Sequence, residues 1–341
     1  MHSHARRAIL TVVKIAIAVG ILSYLIVQAR HAIGTLTERT VDWRFLTAAL
    51  VFSLTTATLS FVRWHLLVRA LDIRIHLTET LRLGALGFAL NFVSPGSIGG
   101  DFFKAVFLAH GQPGKRTEAV ASVVADRVLG LLTMLGLASG GIWAIDLMDA
   151  GSPALRMLCR TILLATAATW LGFAVLMLVR GLSGIRIRTR LERRPLVGKT
   201  LARLLGTVEV YRSKLPMLLV AFLVSVAMAL SSVTTYYLVA RGLPIQEPSW
   251  SEHLVLVPVA GLVGAIPLTP NGLGTTEFAI EELYKTMPGG SEVATGDGTL
   301  VGLGRRVTDL AVAFVGLGFY LGHRREVDEV FAEAEQEADE E

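Results

Sequence analysis

Two short apolar segments of this chain each run into a turn rich in Gly and Pro that is followed by an acidic residue. The first copy reads NFVSPGSIGGDFFK over residues 91–104, and the second reads AIPLTPNGLGTTEFAI over residues 265–280. A helix needs about 20 apolar residues to cross a hydrocarbon core of about 30 Å. Short, interrupted segments at matching places in two halves of a chain indicate the substrate site of a membrane transporter.

The composition indicates an integral membrane protein, because 52% of the residues are hydrophobic, 18% are charged and the mean hydropathy is +0.57. Soluble domains carry about 25% charged residues. Six stretches predict full spans: residues 8–28, 45–62, 119–145, 157–179, 215–240 and 299–321. The predicted fold class is therefore an all-α polytopic membrane protein with about six full spans. Two re-entrant helical hairpins are predicted at about residues 83–110 and 254–285, within a membrane domain of residues 1–325.

The predicted orientation follows from the basic residues, because cytoplasmic loops of membrane proteins are enriched in Lys and Arg. The segment after the second predicted span carries Arg63, Arg69, Arg74 and Arg82. The most basic stretch of the chain follows the fourth predicted span. Placing both segments inside puts the N- and C-termini in the cytoplasm. Three crossings then separate the hairpins, which predicts an inverted repeat whose hairpins enter from opposite faces.

Two features of this topology remain open at the level of the sequence. The first predicted span follows Arg6 and Arg7 and fits either a retained anchor or a cleaved signal peptide. A retained anchor is favoured because the stretch is long enough to span and lacks a convincing small-x-small cleavage site. Each hairpin could also be a pair of full crossings, which would leave the parity unchanged.

The formal net charge of +4 combines a basic membrane domain with an acidic tail at residues 326–341, where nine acids and no bases occur. A basic membrane domain is typical of loops that face anionic lipid, so no nucleic-acid partner is predicted. Cys159 is the one cysteine of the sequence, which excludes an intramolecular disulfide. The histidines are scattered without ligand spacing, so neither a metal site nor a cofactor is predicted.

The two copies match as a pattern more than residue by residue. Placing Pro95 on Pro270 puts Asp101 on Thr276, one position before Glu277. Each copy is followed by a span with charges about two turns inside it, and these charges include Asp126, Arg127, Arg305 and Arg306.

Arginines inside spans are costly and usually face a cavity or a partner. One interpretation is that Arg127 and Arg306 hold a headgroup phosphate, because guanidinium binds phosphate with a planar fork of donors. The other is internal ion pairing of Arg127 with Asp101 and of Arg306 with Glu277, or snorkelling to the interface. The two are compatible, because an ion pair that opens for substrate would serve both roles.

The motifs NFVSPGSIGGDFFK, ASVVADRVLGLL and IPLTPNGLGTTE, with a late arginine-bearing span, resemble the flippase-like transmembrane family. This family is the membrane region of lysylphosphatidylglycerol synthases, together with stand-alone membrane proteins. The resemblance covers about residues 10–320 and implies two re-entrant hairpins and movement of a lipid or lipid-linked headgroup between leaflets. It carries over four candidate substrate-binding residues: Asp101, Arg127, Glu277 and Arg306. Neighbours within the same motifs complete the candidate set: Asn91, Gly99, Gly100, Asp126, Asn271, Gly272, Gly274 and Arg305.

The expected function is translocation of a phospholipid or a polyprenyl-linked lipid by alternating access in the cell membrane, without enzyme activity. The chain shows no counterpart of the soluble aminoacyl-transferase domain of the full synthases, so lipid aminoacylation is not expected of it. One alternative is an integral-membrane transferase that acts on a lipid phosphate, which would need clustered carboxylates or a metal motif. Another is a non-transporting partner of a separate lipid-modifying enzyme, which would not need arginines inside its spans.

Overall fold

The computed structural model describes residues 41–93, 99–110, 114–150, 152–178, 198–266, 268–289 and 293–322. These residues form eleven α-helices and one 3-10 turn, Pro270–Gly272. The helices are α1 Trp43–Ala70, α2 Leu77–Val93, α3 Gly99–His110, α4 Arg116–Ala144, α5 Leu147–Ala150, α6 Pro153–Leu178, α7 Gly198–Ser213, α8 Leu215–Gly242, α9 Trp250–Ala265, α10 Thr275–Thr286 and α11 Asp297–Gly322. The predicted span at residues 8–28 and the predicted acidic tail at residues 326–341 lie outside the described residues.

Among the helices of the described residues, four are long and apolar enough to cross a membrane: α1, α4, α6 and α8. They correspond to four of the predicted spans, so the prediction of an all-helical, multi-pass membrane protein is confirmed. The predicted span at residues 299–321 is the helix α11, but α11 is not among these four. Every 18-residue window of α11 contains Arg305, Arg306 and Asp309, which lowers its apolar character.

Local sequence signals account for several helix starts. The Asp42 side chain accepts the Arg44 N–H at 2.9 Å and so caps α1. Ser249 and Glu252 form a reciprocal capping box at α9, in which the Ser249 N–H donates to Glu252 Oε2 at 2.7 Å. A Pro lies in the first turn of α8, where it needs no hydrogen-bond partner.

The predicted hairpins are the helix pairs α2–α3 and α9–α10. The helices α3 and α10 have 12 residues each and α9 has 16, so they are about 18 to 24 Å long. The first arm, α2, has 17 residues and begins at Leu77, whereas the sequence predicted an arm from residue 83. Glu79 lies in the added first turn, where an acidic side chain interacts favourably with the helix dipole. The first arm is therefore about 26 Å long.

Two sets of four helices pack in the same way. The first set is α1 to α4 and the second is α8 to α11, with helix lengths of 28, 17, 12 and 29 residues against 28, 16, 12 and 26. Inside each set, the first helix packs on the second and fourth, and the third packs on its two neighbours. Between the sets, α1 packs on α8, α2 on α11 and α9 on α4. Exchanging the sets leaves this pattern of packing unchanged.

The helices α6 and α7 lie outside the two sets, and both pack on α4. The helix α6 is mostly uncovered within the described residues, since only Leu155, Cys159 and Ile162 of its 26 residues are buried. Exposed apolar side chains on this helix, such as Leu164 and Leu171, are consistent with contact with lipid.

The contact between α4 and α9 requires a residue without a side chain at position 141. A Cβ atom on Gly141 would lie 2.8 Å from Val255 Cγ2 and 2.9 Å from Leu254 Cβ. The neighbouring Gly140 has no heavy atom within 4 Å of the corresponding position. Small residues at a crossing allow two helix backbones to approach closely, which is a common basis of helix packing in membranes.

Gly141→Ala is expected to destabilise the protein by about 1–3 kcal/mol, because the added methyl group overpacks the α4–α9 contact. Gly140→Ala is the matched control, and it is expected to be neutral or slightly stabilising because Ala favours helix and meets open space. Thermal unfolding of the purified variants in detergent measures both effects. Equal melting temperatures for the two variants would contradict this account of the crossing.

Candidate functional site

Two acidic residues lie at the starts of the second hairpin arms. Asp101 is the third residue of α3, and Glu277 is the third residue of α10. Counted from the helix starts, the two acids are equivalent, whereas the alignment on the prolines placed Asp101 against Thr276. The difference arises because the second turn has one residue more between Pro270 and its helix than the first turn has after Pro95.

The first acid is shared by two cations. Arg127 on α4 donates from Nε to Asp101 Oδ2 at 2.5 Å, and its Nη2 pairs with the same oxygen. Lys104 lies one turn further along α3, with its Nζ 3.4 Å from Asp101 Oδ1. The same Nζ lies 5.5 Å from the centroid of the Trp64 ring. The Asp101 and Lys104 side chains are buried, whereas the Arg127 side chain is 50% exposed.

The second acid has a different set of partners. Arg306 on α11 donates from Nε to Glu277 Oε1 at 2.5 Å, and its Nη2 donates to the Asn271 carbonyl at 3.1 Å. The other carboxylate oxygen, Oε2, accepts the Gly274 N–H at 2.7 Å. The Glu277 side chain is 1% exposed and the Arg306 side chain 15% exposed. This pair therefore joins α11 to the turn as well as to α10, and it is more enclosed than the first.

One interpretation of the sequence predicted the ion pairs Asp101–Arg127 and Glu277–Arg306. Both ion pairs are present. In each set, the acid belongs to the second arm of the hairpin and the arginine to the long helix that follows it. The pairing holds each guanidinium of a long helix against the second arm of the preceding hairpin.

The predicted glycines and asparagines shape the two turns. The Gly100 N–H donates to Asn91 Oδ1 at 2.9 Å, and a Cβ on Gly100 would lie 1.9 Å from the Gly87 carbonyl oxygen. Side chains of any size are therefore excluded where α2 and α3 cross. Gly99, the remaining candidate of this turn, is the first residue of α3.

The second turn is built from residues in the left-handed region. Asn271 has φ 47° and ψ 32°, Gly272 has φ +64° and Gly274 has φ +83°. Glycine adopts these angles without steric cost, and asparagine tolerates them better than most residues. These three residues direct the Asn271 carbonyl to Arg306 and the Gly274 N–H to Glu277. They therefore support the second ion pair.

Asp126 and Arg305 belong to neither of the two acid–arginine pairs, Asp101–Arg127 and Glu277–Arg306. Asp126 is buried and accepts a bidentate ion pair from Arg63 on α1, at 2.8 and 2.9 Å. The sequence placed Arg63 in a cytoplasmic loop, and that prediction was wrong. Arg63 is a buried residue of α1, because its guanidinium finds a carboxylate on α4 and lies 3.4 Å from Ser225 Oγ on α8.

Arg305 in the second set is also buried, but its ion pair lies within one helix. It pairs with Asp309 one turn along α11 and donates to Ser53 Oγ and Thr308 Oγ1, both at 3.1 Å. Its guanidinium carbon lies 5.6 Å from the centroid of the Tyr236 ring. Arg305 and Asp126 therefore support the contact of α1 and α8 with the long helices, next to the two acid–arginine pairs.

Sequence reasoning missed Lys104 and Arg63 as members of this constellation. Lys104 follows Asp101 by three residues, which is a spacing that brings two side chains together on a helix and could have been noticed. Arg63 carried no such local signal, since its partner Asp126 is 63 residues away. Among the described residues, no group of three or more His, Cys, Asp or Glu side chains is arranged to hold a metal ion.

The apolar spans, the paired helical sets and the charges buried between them define a polytopic α-helical membrane protein. The sequence matches the family model for the lysylphosphatidylglycerol synthase TM region over residues 11–316, and the chain belongs to this family. Membership associates the protein with the handling of membrane lipid. No curated protein matches the sequence.

Asp126→Asn is expected to destabilise the protein by about 3–5 kcal/mol, because it leaves the Arg63 guanidinium buried without a carboxylate. The double variant Arg63→Met with Asp126→Leu is expected to recover much of this loss, since it removes both buried charges together. Thermal unfolding in detergent of the single and double variants gives the coupling between the two residues.

The control for this prediction is Arg241→Gln. Arg241 forms a pair with Glu247 in which the Arg241 side chain is 46% exposed, so its loss is expected to change stability by less than about 1 kcal/mol. An Asp126→Asn variant as stable as Arg241→Gln would show that the buried pair is not required.

Proposed function

We propose that this protein is a transporter that moves a phospholipid or a polyprenyl-linked lipid between the leaflets of the cell membrane, without catalysing a reaction on it. The observation that carries the proposal is the occurrence of two equivalent acid–arginine pairs, Asp101–Arg127 and Glu277–Arg306, in an apolar helical bundle. Ionisable side chains within membrane segments usually mark a substrate path. Membership of the lysylphosphatidylglycerol synthase TM family supports lipid as the substrate.

In the proposed arrangement the two helical sets form an inverted repeat, with α2–α3 and α9–α10 as hairpins that enter from opposite faces. Three helices long enough to cross, α4, α6 and α8, lie between the hairpins in the chain, and an odd number of crossings inverts the second set. The packing of the helices keeps its pattern when the two sets are exchanged, which also supports this arrangement. With α11 and residues 8–28 as further spans, both termini lie in the cytoplasm, as the basic loops favour.

The proposed mechanism is alternating access to a polar site between the two sets. Each arginine holds the phosphate of a headgroup once its carboxylate partner yields, because carboxylate and phosphate present the same kind of acceptor to guanidinium. The released carboxylate of Asp101 or Glu277 then pairs with any cation on the headgroup. The Arg127 side chain is half exposed whereas the Arg306 side chain is largely buried, and this difference supports access at one site at a time.

Vesicles reconstituted with the protein are expected to move fluorescent lipid between leaflets, measured by the fraction that an impermeant quencher reaches over time. Arg127→Ala is expected to slow this movement by about tenfold or more, because a charge-assisted contact with phosphate is lost. Arg241→Ala, on an exposed pair away from both sites, should retain the wild-type rate. The proposal fails if wild-type vesicles match empty ones with both phospholipid and polyprenyl phosphate probes.

The inverted topology is tested by single cysteines in a Cys159→Ala background. His76 precedes α2 and Gln246 precedes α9, and both side chains are exposed. An impermeant maleimide should label His76→Cys only from the cytoplasmic side and Gln246→Cys only from the outside of intact cells. Labelling of both positions from the same side would exclude an inverted repeat while leaving the packing of the helices untouched.

A further inference from the structure

The two sites differ in their charge, although their acid–arginine pairs are equivalent. Around the first site, Arg63, Lys104 and Arg127 contribute three positive charges, and Asp101 and Asp126 contribute two negative ones. Arg63 and Asp126 neutralise each other in a bidentate pair, and the Asp101 carboxylate faces both Lys104 and Arg127. The described side chains of the first cluster therefore carry one positive charge in excess.

The second cluster is balanced. Arg305 pairs with Asp309, and Arg306 pairs with Glu277, so two positive charges meet two negative ones. Lys104 is the sixth residue of α3 and follows Asp101 by three positions. The sixth residue of α10, which follows Glu277 by three positions, is the apolar Ile280. The excess positive charge thus comes from Lys104 and belongs to the first site alone.

An excess charge in this position has a physical cost. The Lys104 side chain is 11% exposed, and its ammonium has one long contact with Asp101 and a cation–π contact with Trp64. A cation–π contact contributes attraction without neutralising the charge. A buried charge is costly unless it is paired, and an anion that enters the site would complete the pairing.

We propose that Lys104 is a specificity-determining residue and that the first site takes lipid headgroups with a net negative charge. This inference rests on the proposed function and adds the charge class of the substrate. A phosphodiester bound between Arg127 and Lys104 leaves Asp101 with one of its cations and gives the cluster a net charge of zero. A zwitterionic headgroup brings an additional cation into the same site and leaves the excess in place.

The test compares two probes in one vesicle assay: fluorescent phosphatidylglycerol, with net charge −1, and fluorescent phosphatidylcholine, with net charge zero. Wild-type protein is expected to move phosphatidylglycerol at least about tenfold faster, which corresponds to one charge-assisted contact. Lys104→Gln is expected to reduce this ratio to near one, chiefly by slowing phosphatidylglycerol. Lys104→Arg, which keeps the charge, is expected to retain most of the ratio.

Lys285→Gln is the matched control, because Lys285 is the lysine on the second arm of the other hairpin. Its Nζ pairs with Glu281 and Glu282 at 3.1 Å each, away from Glu277 and Arg306. This variant should leave the ratio between the two probes at its wild-type value. Size-exclusion profiles and melting temperatures identify any variant that fails to fold, and Lys104→Met, which also removes the charge, then replaces Lys104→Gln.

The outcomes distinguish a failure of this inference from a failure of the proposed function. Equal movement of both probes by the wild type, or an equal loss of both in Lys104→Gln, overturns the charge selectivity and leaves lipid movement standing. Faster movement of phosphatidylcholine than of phosphatidylglycerol overturns the selectivity as well. Movement of neither probe counts against the proposed function itself, and the inference falls with it.

Discussion

The pairing of each arginine of the two sites with a carboxylate is the interaction on which the rest of this structure depends. A charged side chain at the centre of a bilayer costs about 2.5–3.5 kcal/mol on insertion scales. The pairs Asp101–Arg127 and Glu277–Arg306 reduce this cost, and they do so between different helices. Each joins a hairpin arm of 12 residues to the long helix that follows it. Arms too short to cross the membrane are therefore held by charge as well as by apolar contact.

Packing between the sets makes the two sites dependent on each other. The helix α11 carries Arg306, which is paired to α10, and it also packs on α2, the first arm of the other hairpin. The helix α4 carries Arg127, which is paired to α3, and it packs on α9 in the same way, closely enough at Gly141 to exclude a side chain. A displacement of either long helix thus changes the contacts of both hairpins. In the proposed cycle, the two states of the sites are therefore two states of the whole bundle.

The sequence predicted features that depend on local composition. It failed for residues whose burial depends on a partner distant in the chain. Apolar runs long enough to span identified α1, α4, α6 and α8, because hydrophobic length is a local property. Arg63 was wrongly placed in a loop, since only its partner Asp126 on another helix makes burial tolerable. Pairing of the acids with Arg127 and Arg306 was one of two interpretations of the sequence, and the alignment missed the equivalence of the acids by one residue. The extra residue in the second turn is absorbed by left-handed backbone at Asn271 and the two glycines after it, which alignment cannot detect.

The two sites use the same types of charged side chain, but they differ in the hydrogen bonds that the carboxylate accepts. Both oxygens of Glu277 are used, one by Arg306 and one by the Gly274 N–H. Opening this site without a substrate breaks a buried pair, at a cost of about 3–5 kcal/mol. A phosphate that takes the place of the carboxylate on the guanidinium offsets most of that cost, because both are anionic acceptors of the same hydrogen bonds. In the proposed cycle the substrate itself therefore lowers the barrier to opening, and an empty site stays closed to ions.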